Sequence, residues 1–175
     1  FSMPKYIINA GSDEFFSTDS WRFYYEELPK NKLIRYVPNA NHSLSGEYLT
    51  NDLISFFYRL VNNIDLPILE WELVDGNLDV YLDYDGEYSV SIWKAFNQDG
   101  RDFRLWQEGE LWTKSDMKKN EDNRYNIKLE INNTGYQAIM VEFTLDQDSD
   151  FPLKISTGPY VLPNSYPYEK YEPLK

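Results

Sequence analysis

The spacing of apolar and polar positions changes once along the chain, near residue 66, and the change divides it into two unlike parts. Before that point, residues 6–10 are a short apolar run closed by Gly11, and residues 33–37 are a second run stopped by Pro38. Both read as buried strands of a parallel sheet. Between them, Ser17, Thr18 and Asp19 offer N-cap oxygens to a helix extending through Leu28. Its apolar stripe is Trp21, Tyr24, Tyr25 and Leu28, with Glu26 and Glu27 outside. Residues 48–61 then place Leu49, Leu53, Phe56, Phe57 and Leu60 at spacings of three and four, which predicts a second helix.

From Leu66 onward the period is two. Residues 68–74, 78–82 and 88–93 alternate, separated by turns at Asp75-Gly76-Asn77 and Asp85-Gly86. Residues 103–112, 125–131, 138–145 and 153–156 are further strand candidates. Seven short strands with acidic and Asn/Gly-rich turns predict an all-β unit, a β-sandwich of immunoglobulin-like size. The tail from Pro159 is too proline-rich for a central strand and is expected to pack along the surface through its aromatics. Pro67 marks the junction, so the expected division is residues 1–64 and residues 65–175.

Two parallel strands and two helices cannot shield one another alone. A buried parallel sheet needs more strands and covered faces, so the first part is expected to complete a larger sheet supplied from upstream of Phe1.

Composition narrows the classes. The chain has 175 residues, 42% of them hydrophobic, with 15 Tyr, 10 Phe and 5 Trp, which is enough to build a core and argues against disorder. A formal charge of −12 argues against nucleic acid or an anionic membrane as partner. The absence of cysteine excludes disulfides and thiol catalysis. No apolar run approaches the length of a membrane span, and the opening Phe1-Ser2-Met3-Pro4 carries no visible signal peptide.

The chemistry-bearing residues sit at the ends of the two parallel strands. Asp13 follows the first strand through Gly11-Ser12, and His42, the one histidine, follows the second within Asn39-Ala40-Asn41-His42-Ser43-Leu44. A serine hydroxyl needs a base to take its proton, and that base needs a carboxylate to fix its tautomer. In α/β-hydrolases these groups run nucleophile, acid, histidine along the chain, the last two on loops past the carboxyl ends of parallel strands. Asp13 and His42 fit the last two places. Glu14 is the competing acid, Asp19 is expected to serve the helix terminus, and no serine here occupies a nucleophile elbow. Asn39, Asn41 and Ser43 are expected to shape the histidine loop. Asn41-His42-Ser43 and Asn132-Asn133-Thr134 also match a glycosylation acceptor pattern. One histidine among scattered carboxylates offers no metal-ligand spacing, and no phosphate or dinucleotide fingerprint is present, so no metal or cofactor is expected.

The stretches 5–16, 19–29 and 33–44, with Gly135-Tyr136-Gln137-Ala138 and Thr157-Gly158-Pro159-Tyr160 later, closely resemble the PhoPQ-activated pathogenicity-related family. That family is an α/β-hydrolase-like group of mostly exported bacterial proteins with secreted relatives in amoebae. The resemblance covers nearly the whole chain but only the last portion of the family's usual length. Gly11-Ser12 stands in reversed order relative to the commoner family pattern, with Asp13 still in register.

The resemblance implies that Asp13 is the triad acid and His42 the triad base. It implies that the nucleophile lies in the upstream part of the same hydrolase domain, and that the protein is periplasmic or secreted. The fold expected is therefore α/β plus all-β: the C-terminal strand–helix–strand–helix portion of an α/β-hydrolase sheet, then an immunoglobulin-like β-sandwich. A small-molecule or peptide substrate is implied, while this chain alone is expected to be inactive. The alternatives are a non-catalytic secreted signalling protein on the same scaffold, and an acidic sandwich that binds a carbohydrate or protein. Burial of Trp71, Trp93 and Trp112 would count against the carbohydrate reading.

Overall fold

The computed structural model describes residues 2–44, 49–129, 134–166 and 169. Strands β1 (Lys5–Ala10) and β2 (Lys32–Val37) pair in parallel, with Lys5 opposite Lys32 and Ala10 opposite Val37. Helix α1 (Leu49–Val61) follows. Strands β3 (Ile68–Val74), β4 (Asn77–Asp83) and β5 (Tyr88–Asn97) come next, then the short helix α2 (Leu105–Glu108). Strands β6 (Thr113–Met117), β7 (Arg124–Lys128), β8 (Tyr136–Leu145), β9 (Leu153–Ser156) and β10 (Tyr160–Leu162) complete the order. The antiparallel strands form a three-stranded sheet, β3-β4-β7, and a five-stranded one, β10-β8-β5-β6 with β9 also on β8.

This is a mixed α/β fold with several open sheets, and it corrects the immunoglobulin-like sandwich expected from the alternation. No sheet closes, and the central strand β8 of the five-stranded one is buried on both faces while its edge strand β6 is largely exposed. Odd-numbered residues of β8 (Ile139, Val141, Phe143) pack with Leu78, Val80 and Leu82 of β4. Even-numbered Ala138 and Met140 pack instead with Trp21, Ile34 and Tyr36 from the first part of the chain. The near-continuous apolar character of residues 138–143 is what a strand covered on both sides requires. A sandwich sheet would keep its outer face wet.

Other expected elements also shift. The helix expected over 17–28 is a single 3-10 turn, Ser20–Phe23, followed by turns. Trp21-Arg22-Phe23-Tyr24-Tyr25 is a run of middling helix formers, so packing decides its shape. Trp21 is fastened by its indole N–H to the Pro159 carbonyl at 2.8 Å, and it lies flat on Gly158, where any Cβ would come within 2.3 Å of the ring. Residues 103–112 are not a strand: buried Phe103 and Trp112 flank α2, which ends at Gly109 with φ +74°. The strand comes later, as the polar edge strand β6. The tail does form a strand, β10, at the sheet edge where proline is tolerated, but Val161 and Leu162 are buried rather than on the surface.

Helix α1 keeps its expected place, but only part of its apolar stripe turns inward, Phe56 packing on the main core and on Tyr6, and Leu49 on the cluster of Ala10, Val37 and Ala40. Its buried residues are Asp52, Ser55 and Arg59, while Leu53, Ile54, Phe57 and Val61 lie at the surface. Asp52 forms a buried ion pair with Arg35 of β2 and accepts the Lys154 N–H of β9 at 3.2 Å. Arg59 reaches Asp146 at 2.5 Å and the Tyr84 hydroxyl at 3.2 Å. Tyr48, at the expected helix start, and residues 130–131 of the strand expected over 125–131 lie outside the described residues.

Candidate functional site

Because β1 and β2 are parallel and in register, their carboxyl ends open on the same side. The β1 exit turns at Gly11, whose N–H donates to the Val37 carbonyl at 2.7 Å. A Cβ at that position would stand 2.9 Å from the same oxygen, so the close approach needs glycine. The Gly11 carbonyl accepts from the Thr18 hydroxyl (3.1 Å) and the Trp112 indole (3.2 Å), and Ser12 N–H donates to Ala40 O at 3.1 Å. The two exits are thereby laced together.

The β2 exit is held from the other side. Asn39, at φ +53°, uses its amide oxygen and nitrogen to bridge the Trp112 main chain, each bond 2.9 Å. Asparagine tolerates that left-handed backbone while both ends of its side chain are in use.

On this frame Asp13 and His42 meet. His42 Nδ1 lies 3.0 Å from Asp13 Oδ2 and 3.2 Å from Oδ1. An ionised carboxylate can only accept, so Nδ1 donates and the lone pair is left on Nε2. Asp13 Oδ1 also accepts the Phe15 and Phe16 N–H groups, at 2.8 and 3.1 Å. The Asp13 side chain is 9% exposed and that of His42 is 49% exposed, which places a shielded acid behind an open imidazole. Among the described residues no hydroxyl bonds to His42, so neither nucleophile nor substrate is identified.

The competing residues take other roles. Glu14 Oε2 accepts the His42 main-chain N–H at 2.7 Å, so it holds the loop and not the ring. Asp19 stands at the N-cap of the 3-10 turn, but its side chain caps no N–H there: it is fully buried and pairs with Arg101 at 2.5 Å and Arg22 at 3.3 Å. The Ser43 hydroxyl donates to Asn41 Oδ1 at 2.8 Å. Asn132 and Asn133 of the second acceptor pattern lie outside the described residues.

Three contributors escaped the sequence reading. The Phe15 ring meets the imidazole edge-on at 4.9 Å and the Phe16 ring lies tilted at 5.7 Å, although both phenylalanines are largely exposed. Their position directly after Asp13 was the available signal. Trp112 closes the back of the site from a hundred residues away, and no local pattern announces it. Among the described residues no group of three or more His, Asp or Glu side chains is placed to hold a metal. Trp112 is buried and Trp71 and Trp93 are partly so, which counts against an exposed aromatic sugar platform on them. No helix of the described residues is long and apolar enough to cross a membrane.

The chain is similar to the autocrine proliferation repressor protein A of Dictyostelium discoideum, 27% identical over 195 residues that cover 96% of this chain and 40% of that protein. It thus spans less than half of that curated relative's length. No solved structure matches it. The family model described as PhoPQ-activated pathogenicity-related protein matches residues 1–104, which include β1, β2, α1 and the Asp13–His42 pair. The chain belongs to the PhoPQ-activated pathogenicity-related protein family.

Proposed function

We propose that Asp13 and His42 are the acid and general base of a serine-hydrolase-like centre whose nucleophile and oxyanion donors are supplied by another part of a longer protein. The observation that carries this reading is the polarity of the pair: Nδ1 is held by a shielded carboxylate while Nε2 is left open on a half-exposed ring. In that state Nε2 takes the proton of an incoming serine hydroxyl and returns it to the leaving group, while Asp13 stabilises the imidazolium between the two steps. The substrate would be an ester, amide or peptide.

Two surfaces support docking of the remaining hydrolase sheet. Lys5 and Gly11 donate their N–H groups toward β2, so alternation turns those of Tyr6, Ile8 and Ala10 to the free edge of β1. The other edge of the pair is already used, since the Ser156 hydroxyl accepts the Tyr36 N–H at 2.8 Å. On α1, Leu53, Ile54, Phe57 and Val61 face outward, and each large side chain covered there would contribute about 1.5–3 kcal/mol.

The test is covalent labelling of the full-length protein by a fluorophosphonate. Labelling is expected in the parent and lost in His42→Ala, while the isolated chain remains unlabelled. Normal hydrolysis by the full-length His42→Ala and Asp13→Ala variants would sink the assignment.

A second reading is a non-catalytic released signal on the same scaffold, in line with the name of the amoebal relative, an autocrine proliferation repressor. It predicts that the full-length protein lacks a fluorophosphonate-reactive serine and that His42→Ala keeps the biological effect. Export of the protein is part of both readings.

A further inference from the structure

A different ligand is indicated at the free edge of the three-stranded sheet, independently of the chemistry of His42. β3 joins β4 through Asp75-Gly76, both at positive φ (50° and 78°), so Val74 and Asn77 form the hydrogen-bonded pair closing a two-residue hairpin. On the far side of β4, Leu82 N–H donates to Asn123 O at 3.1 Å, so even-numbered β4 residues bond toward β7 and odd-numbered ones toward β3. Ile68, Glu70, Glu72 and Val74 therefore bond β4, and the main chain of Leu69, Trp71 and Leu73 points to the open edge. The main chain of Leu69 and Trp71 has no partner on that edge among the described residues.

A cleft of about 1100 Å³ includes this edge and runs across the sheet, lined by residues of β3, β4 and β7 and by Tyr25, Glu26 and Lys30. The Trp71 Nε1 donor is buried without a hydrogen-bond partner. The Trp71 ring packs against Trp21 at 5.3 Å and Tyr25 at 5.2 Å beside this edge.

The cleft is lined by more acids than bases, with Glu26, Glu70, Glu72, Asp79 and Asp122 against Lys30, Lys32 and Arg124. Glu26, Glu70 and Glu72 line it without an ion-pair partner among the described residues. Two of its cations are committed: Lys32 Nζ bonds the Leu28 carbonyl at 3.2 Å and lies over the Tyr25 ring, and the Arg124 guanidinium stacks on Tyr81 at 4.3 Å.

We propose that this edge binds an extended basic peptide, which adds as a strand beside β3 through the main chain of Leu69 and Trp71 and pairs its Lys or Arg side chains with Glu26, Glu70 and Glu72. Main-chain hydrogen bonds give such a strand its register and affinity, and the flanking charges select its sequence.

The experiment titrates the 175-residue chain with an alternating Lys/Val octapeptide and an alternating Glu/Val octapeptide, read by amide hydrogen exchange. The basic peptide is expected to protect the Leu69 and Trp71 amides, and the acidic one to leave them unchanged. Glu70→Lys/Glu72→Lys, both at exposed positions, is expected to weaken binding about tenfold or more, and raising the salt from about 0.05 to about 0.5 M to weaken it likewise. Leu69→Pro removes one outward N–H without touching a β4 bond and is expected to abolish protection at a retained melting temperature. Unchanged affinity in the charge-reversed pair would overturn the proposal, as would protection that spares Leu69 and Trp71. Peptide-independent protection that grows with protein concentration would assign the edge to a second copy and overturn it too.

Discussion

At the scale of single residues, the site depends on one carboxylate serving two purposes. Asp13 orients His42 through Nδ1 and also ties down the Phe15 and Phe16 amides. An asparagine would keep an acceptor for those amides but would present the imidazole with a neutral partner that no longer enforces the tautomer. On the proposed hydrolase reading, Asp13→Asn in the full-length protein is therefore expected to lower kcat by about a thousandfold to ten-thousandfold, with a melting temperature close to the parent's. Parallel kinetics and thermal melts check this, and an equal loss of both would mean that the acid is structural. The pair itself was legible in the chain, because an acid and a histidine after two short parallel strands must emerge at one sheet end. Glu14 could not be assigned from sequence, since its side chain reaches a main-chain N–H whose position depends on the loop. Asp19 was misread for a related reason: its partner Arg101 lies 82 positions away.

At the scale of elements, α1 is the instructive case. Periodicity identified the helix and its apolar side but not which side faces the protein. That choice was made by Arg35 on β2, a buried guanidinium that needs a carboxylate, and Asp52 on the helix supplies it. Removing the acid alone leaves Arg35 charged in the core, so Asp52→Ala is expected to destabilise the chain by about 3–5 kcal/mol. Replacing both partners, as Arg35→Met with Asp52→Leu, is expected to recover most of that loss. Urea denaturation of the single and double variants measures the difference, and equal destabilisation in both would refute it. The 3-10 turn at Ser20–Phe23 teaches the same lesson, since a contact with Gly158 far along the chain outweighed the weak helix preference of its aromatics.

At the scale of the whole molecule, the core is built with phenols. Burial raises the pKa values of Tyr6, Tyr25 and Tyr36 above the ordinary 10.0, and Tyr88 and Tyr160 are raised for the same leading reason. In the unfolded chain these groups ionise near 10.0, while the folded chain keeps their protons. Stability is therefore fully present below that pH and is lost as pH rises through the folded values. Denaturant midpoints should fall steadily between about pH 9 and pH 11.5, with phenolate absorbance appearing together with unfolding. Complete titration of all tyrosines at the ordinary value, with the fold intact, would contradict this.

By itself, the sequence determined most of the strands, though not β6 or β10, and where the acid and the histidine stand, because alternation, turn residues and strand-end spacing are local properties of the chain. It also carried the family resemblance, since that rests on local runs of residues. Only the tertiary structure decided which faces are buried and what lies behind the site. Strand β8 is covered on both sides by residues distant in sequence, the polar Asp52 of α1 turns inward toward a buried arginine, and Trp112 closes the strand exits from across the fold. Those outcomes follow from long-range pairing of charges, donors and large side chains, and a pattern read along one stretch of chain contains only one partner of each pair.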